Sequence, residues 1–134
     1  MADSNKLEGV TVMWVEDDNF LSEMIAKKLK DQGANLEFAA SGEDAVKQLD
    51  ERKPDVLLLD ILLPGMDGYE VLKQMKQKEE LKDVPVILFS NLGQQEDIDK
   101  GYKLGADKFL VKATIDLNGV VDEITKLLKE KQSA

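Results

Sequence analysis

The 134-residue sequence contains no cysteine and no histidine. Without cysteine there is no disulfide framework and no thiolate chemistry. Without histidine the chain has no triad with an imidazole base, no imidazole zinc site and no histidine phosphocarrier of its own. Long apolar runs are missing as well: nowhere do about 18 uncharged apolar residues follow one another, and the opening MADSNKLEG is polar, with no apolar run of signal-peptide length. The expectation is a soluble, non-exported, cytoplasmic protein with no membrane partner. Positive charge is the scarcer sign, with 18 Lys and Arg against 27 Asp and Glu and a net charge of −9. That acidity suits solubility, and it would repel a phosphate backbone, which argues against direct nucleic-acid binding.

What is present is enough for one core. At 134 residues and 43% hydrophobic content the chain has the size of one ordinary domain. No internal repeat, linker or low-complexity segment interrupts it. The organisation expected is a tail at 1–8, one domain at 9–131 and a tail at 132–134, with the closing KEKQSA expected to fray.

Short apolar, β-branched runs recur at 10–15 (VTVMWV), 55–60 (DVLLLD) and 84–89 (VPVILF), and 35–40 and 108–112 read as two more strands. Near-continuous apolar strands belong to a sheet covered on both faces, which means a parallel one. Helical patterns lie between and after them, at 19–31, 43–52, 68–79, 95–104 and 117–131. Ser41-Gly42 precedes the second helix and Pro54 follows it, Asp67 is a candidate N-cap for the third, and Gly33 and Gly105 stand where C-terminal caps belong. Strict β-then-α alternation with short links predicts a doubly wound α/β domain with five strands and five helices. Gly101 falls inside the fourth helix, where glycine costs roughly 1 kcal/mol relative to alanine. Either that helix is loosely held, or the missing side chain makes room for packing.

Chemistry in open α/β sheets collects at the carboxyl ends of the strands, near the point where strand order reverses. The first strand ends in Glu16-Asp17-Asp18, the third in Asp60, the fourth in Ser90 and the fifth in Lys112. Taken singly, each has an ordinary explanation: Asp18 as a helix cap, Glu16 and Asp17 as solvated loop charges, Asp60 as a turn former, Ser90 as a cap and Lys112 as a surface lysine. Their joint placement, with Asp60 directly after VLLL and Lys112 directly after FLV, is hard to assign to coincidence across four strands. Clustered carboxylates repel, by roughly 3 kcal/mol for two unit charges about 5 Å apart at an effective dielectric near 20. Lys112 can offset one charge. Hard oxygen ligands without histidine or cysteine favour Mg²⁺ as the cofactor, and a carboxylate beside that ion can act as a nucleophile toward phosphorus.

These residues resemble the receiver family of two-component response regulators, including the chemotaxis response regulator. WVEDD resembles the family's acidic pair, LLLDILLPGMDG its phosphoacceptor segment, FSN its switch hydroxyl and GADKFLVK its aromatic-x-x-lysine ending, and the likeness spans about residues 9 to 131. The resemblance implies a flavodoxin-like sheet of order 2-1-3-4-5. It implies Mg²⁺ held by Glu16, Asp17, Asp60 and the backbone carbonyl of Leu62, with Glu16 acting through water. Asp60 would accept a phosphoryl group from a histidine kinase or phosphotransfer partner, Ser90 and Lys112 would bond that group, and Phe109 would turn inward as the switch aromatic. Phe109 as plain core packing is the simpler alternative, and without a hydroxyl tip it should favour the buried position.

Two departures stand out. Lys112-Ala113 replaces the family's usual Lys-Pro with its cis bond, so a trans peptide is expected. Leu62 is apolar where many relatives are polar, which bears on the lifetime of a phosphorylated state. The implied protein is a signalling switch rather than an enzyme, acting through an unknown downstream protein, through a homodimer formed by the face of the fourth helix, fifth strand and fifth helix, or through a further domain. Two competing readings remain at this point: a small Mg²⁺-dependent aspartyl-phosphate phosphatase, for which the EDD ending and the lack of a cap insertion are poor fits, and an unphosphorylated interaction module with the same fold.

Overall fold

The computed structural model describes residues 5–133. Five strands, β1 (Thr11–Val15), β2 (Asn35–Ala39), β3 (Val56–Leu59), β4 (Val86–Ser90) and β5 (Lys108–Val111), form one sheet of order β2-β1-β3-β4-β5. Every neighbouring pair is parallel. The apolar runs are explained by position: all of β3 and β4 is buried, and the edge strands β2 and β5 are not. Alternate residues of each inner strand serve opposite faces. Val12 and Trp14 join Ile25, Leu29, Ile124 and Leu127 in one core, whereas Met13 and Val15 join Leu49, Leu72 and Met75 in the other.

Five helices cover these faces: α1 (Asn19–Asp31), α2 (Gly42–Glu51), α3 (Gly68–Lys76), α4 (Gln95–Lys103) and α5 (Leu117–Ser133). The first three begin at side chains that accept a backbone N–H, Asp18 from Leu21, Ser41 from Asp44 and Asp67 from Glu70. This satisfies donors that a helix start otherwise leaves free. Gly33 and Gly105 follow α1 and α4 at φ of 90° and 107°, where a side chain would be strained.

α4 differs from the others. Its N-cap, Gln94, makes no side-chain bond, and Gly101 is its one buried residue. A Cβ at position 101 would lie 2.6 Å from Leu88 Cδ1 and 3.1 Å from the Phe109 ring, so this glycine is what lets α4 approach β4 and β5. Tyr69 of α3 adds a tether, its hydroxyl donating to the Asp97 carbonyl at 2.9 Å while the Lys100 ammonium sits 4.4 Å from its ring centre.

Several boundaries differ from the sequence pattern. α3 stops at Lys76 and residues 77–83 continue as turns, while the fifth strand gives way at Lys112 to a short 3₁₀ turn, Lys112–Thr114. α5 continues to Ser133, so the segment expected to fray is helical as far as the described residues extend. Residues ahead of β1 are not all tail: Leu7 is fully buried against the α1 and α5 side, and its N–H donates to Gln32 O at 2.9 Å. One leucine among polar neighbours carries no periodicity, which is why the pattern did not reveal it. The Lys112–Ala113 peptide is trans, with no cis bond among the described residues. No helix of the described residues is long and apolar enough to cross a membrane.

Candidate functional site

Between β1 and β3 the chain reverses its direction of travel across the sheet, leaving a crevice at the strand ends. Glu16 leaves β1 there and is 1% exposed, and Asp60 leaves β3 there at 3%. Both carboxylates are anchored. Glu16 Oε2 accepts the Asp18 N–H at 3.1 Å, and Asp60 Oδ1 accepts the Leu62 N–H at 3.3 Å. Lys112, entering from the end of β5, donates to Glu16 Oε1 at 2.5 Å and to Asp60 Oδ2 at 2.9 Å. Asp17 is exposed at the rim, and one carboxylate oxygen from each of Glu16, Asp17 and Asp60 can come within 4.8 Å of the others.

Ser90 ends β4 and is fully buried; its hydroxyl accepts the Leu92 N–H at a long 3.4 Å. Asp18 is occupied capping α1, accepting the Leu21 N–H at 3.0 Å. Phe109 is half-buried against the core beside Gly101, and Leu62 is exposed at 55%. The structure therefore brings Glu16, Asp17, Asp60 and Lys112 into one pocket. Ser90 stands at the end of the neighbouring strand, and Phe109 lies under α4.

Three carboxylates against one ammonium leave the pocket negative. Burial pushes Glu16 up to about 6, with the Asp60 charge adding to the shift and the bonds from Lys112 and Asp18 opposing it. For Lys112 burial works toward a lower value, but the two carboxylates outweigh it and the ammonium is held above its ordinary range. A set of oxygen donors that repel one another and include no nitrogen or sulfur fits a hard divalent cation such as Mg²⁺.

Two supports of this site carried no clear mark in the sequence. Gly68, the first residue of α3, lies so near the acidic loop that a Cβ there would be 2.2 Å from the Asp60 carbonyl oxygen and 2.8 Å from Ile61 Cα. Its place after the Asp67 cap was visible, but its closeness to Asp60 was not. Phe89 lies with its ring centre 5.7 Å from the Lys112 ammonium and 5.8 Å from the Trp14 ring, so it backs the lysine from inside the core.

A family model for the response regulator receiver domain matches residues 12–125. The chain belongs to that family. As a receiver domain it works in two-component phosphorelay signalling, on the flavodoxin-like order observed here. It is 36% identical over 102 residues to the transcriptional regulatory protein AfsQ1 of Streptomyces coelicolor, covering 76% of this chain and 44% of that protein. It is 35% identical over 101 residues to the phosphate regulon transcriptional regulatory protein PhoB of Escherichia coli, covering 75% of this chain and 44% of PhoB. The chain thus spans less than half the length of these two regulators. A crystal structure of the signal receiver domain of a signal transduction histidine kinase from Syntrophus aciditrophicus superposes with a TM-score of 0.83 at 29% identity, covering 91% of this chain and 92% of that one. Receiver domains generally bind Mg²⁺ at an acidic pocket, and Glu16, Asp17 and Asp60 form such a cluster here.

Proposed function

We propose that this receiver takes a phosphoryl group on Asp60 and that Glu16, Asp17, Asp60 and the Leu62 backbone carbonyl hold Mg²⁺ during the transfer. The observation that carries the reading is the Lys112 ammonium bridging the buried Glu16 and Asp60 carboxylates. It holds the Asp60 carboxylate in place, with Oδ2 bonded to the ammonium at 2.9 Å. Bound Mg²⁺ supplies charge neutralisation for the phosphoryl oxygens.

The remaining steps belong to the chain's own residues. An Asp60 carboxylate oxygen attacks the phosphorus of a phosphohistidine on a partner, since this chain has no histidine. The new O–P bond forms as the N–P bond breaks, and the departing imidazole nitrogen keeps the electron pair and takes up a proton. Lys112 then moves from Asp60 Oδ2 to a phosphoryl oxygen. Ser90, whose hydroxyl accepts a long bond from the Leu92 N–H, can turn that hydroxyl toward the same group. Phe109 follows inward as α4 shifts.

The partners are a histidine kinase or phosphotransfer protein upstream and another protein downstream, met through the face of α4, β5 and α5, on which a homodimer can also form. The domain makes no nucleic-acid contact of its own, works in the cytoplasm, and assists its own phosphorylation and dephosphorylation without turning over a separate substrate. Incubating the protein with Mg²⁺ and acetyl phosphate tests the assignment by intact mass. One added phosphate is expected on the wild type and none on Asp60→Asn; equal labelling of both would overturn it.

A further inference from the structure

Beside β1, α1 and the edge strand β2 border an open cleft of about 350 Å³ lined by Trp14, Asn19, Ser22, Ala26, Leu36, Glu37 and Phe38, among others. Three of its residues carry buried polar atoms with no hydrogen-bond partner: the indole nitrogen Nε1 of Trp14, the hydroxyl of Ser22 and the carboxylate oxygen Oε1 of Glu37. Trp14 is 1% exposed and Ser22 8%. Buried polar groups are nearly always paired, so three orphans on one cleft are a signal rather than noise. We propose that this cleft binds a small neutral organic molecule that has an apolar ring-sized body and one hydroxyl group. The hydroxyl would accept from the Trp14 N–H or the Ser22 hydroxyl and donate to Glu37 Oε1, and the body would lie against Ala26, Leu36 and Phe38.

The choice of chemistry follows from the lining. No lysine or arginine borders the cleft, so an anion finds no partner. Glu37 accepts from Arg52 at 3.2 Å through Oε2 only, which leaves its buried Oε1 to accept a hydrogen bond from the ligand's hydroxyl. Glu23 is exposed at the rim, where an ion pair contributes little. What is left is apolar contact plus directed hydrogen bonds to two donors and one acceptor, in a space at the small end of ligand pockets. Phe38, 45% exposed on the edge strand, is then a ligand contact rather than a stray surface aromatic.

The site can be read directly because Trp14 is the only tryptophan, so a ¹⁵N-labelled protein gives one indole N–H signal. Benzyl alcohol titrated into the full chain should move that signal saturably. Toluene, which keeps the ring and lacks the oxygen, should bind about fivefold to tenfold more weakly, and Ser22→Ala should weaken benzyl alcohol by a similar factor. Ala26→Leu fills the cleft and should abolish the shift while the rest of the spectrum stays in place. A drift that never saturates, a saturable shift that survives Ala26→Leu, or a long-lived water found beside the Trp14 N–H with no response to benzyl alcohol would each overturn the proposal. So would a clear loss of stability in Ser22→Ala, since that would mean the hydroxyl already has a partner.

Discussion

Lys112 and Glu16 lie 96 positions apart in sequence, yet the ammonium reaches the Glu16 carboxylate at 2.5 Å, inside a pocket where Glu16 is 1% exposed. The lysine is therefore shared between two acids, and the one that pays for burial is Glu16.

A pH dependence follows. Glu16 is raised from 4.5 to about 6, so the folded state holds its proton more tightly than the unfolded one. Its contribution to stability is present below about pH 4.5 and is lost as pH rises through about 6. Urea unfolding in EDTA should show stability falling across that window, and Glu16→Gln should flatten the fall. Mg²⁺ affinity, measured by calorimetry, should run the other way and strengthen as pH rises through 6, because protons and cation compete for the same oxygen. An affinity that does not change between pH 5.5 and 7.5 would contradict Glu16 as a participant.

Gly101→Ala separates two effects of opposite sign. Helix propensity alone would stabilise the protein by up to roughly 1 kcal/mol. The added methyl, however, meets Leu88 at 2.6 Å and the Phe109 ring at 3.1 Å, and overpacking of this kind costs about 1 to 3 kcal/mol. Net destabilisation of about 1 kcal/mol is expected in chemical denaturation, with the Phe109 ring resonances displaced. A variant more stable than the wild type would show that α4 has room to spare.

Tyr69→Phe removes the bond to the Asp97 carbonyl and leaves the ring under Lys100. Global stability should drop by about 0.5 to 1.5 kcal/mol. Amide exchange should accelerate selectively in α4, residues Gln95–Lys103, because that helix has no side-chain cap and one buried residue. Uniform acceleration across all five helices would refute a local tether.

Gly68→Ala tests the support beneath the acid. The methyl would sit 2.2 Å from the Asp60 carbonyl oxygen, a backbone atom that cannot rotate away. A loss of roughly 3 kcal/mol is expected, together with slower phosphorylation by acetyl phosphate in whatever fraction folds. Wild-type stability and wild-type labelling would mean that the acidic loop gives way freely.

Much of this arrangement could be read from the residues because polarity changes abruptly at the strand ends. Glu16 after VTVMWV, Asp60 after VLLL and Lys112 after FLV mark the places where an apolar strand reaches an edge, and the structure gathers all three in one pocket. Alternation of strand and helix gave five units but not their lateral order; that came from the family likeness. What stayed hidden depends on contacts between distant segments. Nothing near Gly68 announces that it rests on the Asp60 carbonyl, and the same holds for Phe89 behind Lys112. The two explanations for Gly101 could be separated only by the distance to Leu88. The end of α3 at Lys76 was missed because lysine, glutamine and glutamate continue a helical composition beyond the last core contact, Met75.

The burial of Leu7 has a practical side. The family match begins at residue 12 and ends at 125, but Leu7 is 0% exposed and Leu127, in the same cluster, 2%. Cutting the gene to the family limits would delete both plugs and open a greasy socket beside Ile25 and Ile124. A fragment excised that way should clump at concentrations where one starting ahead of Leu7 stays dispersed.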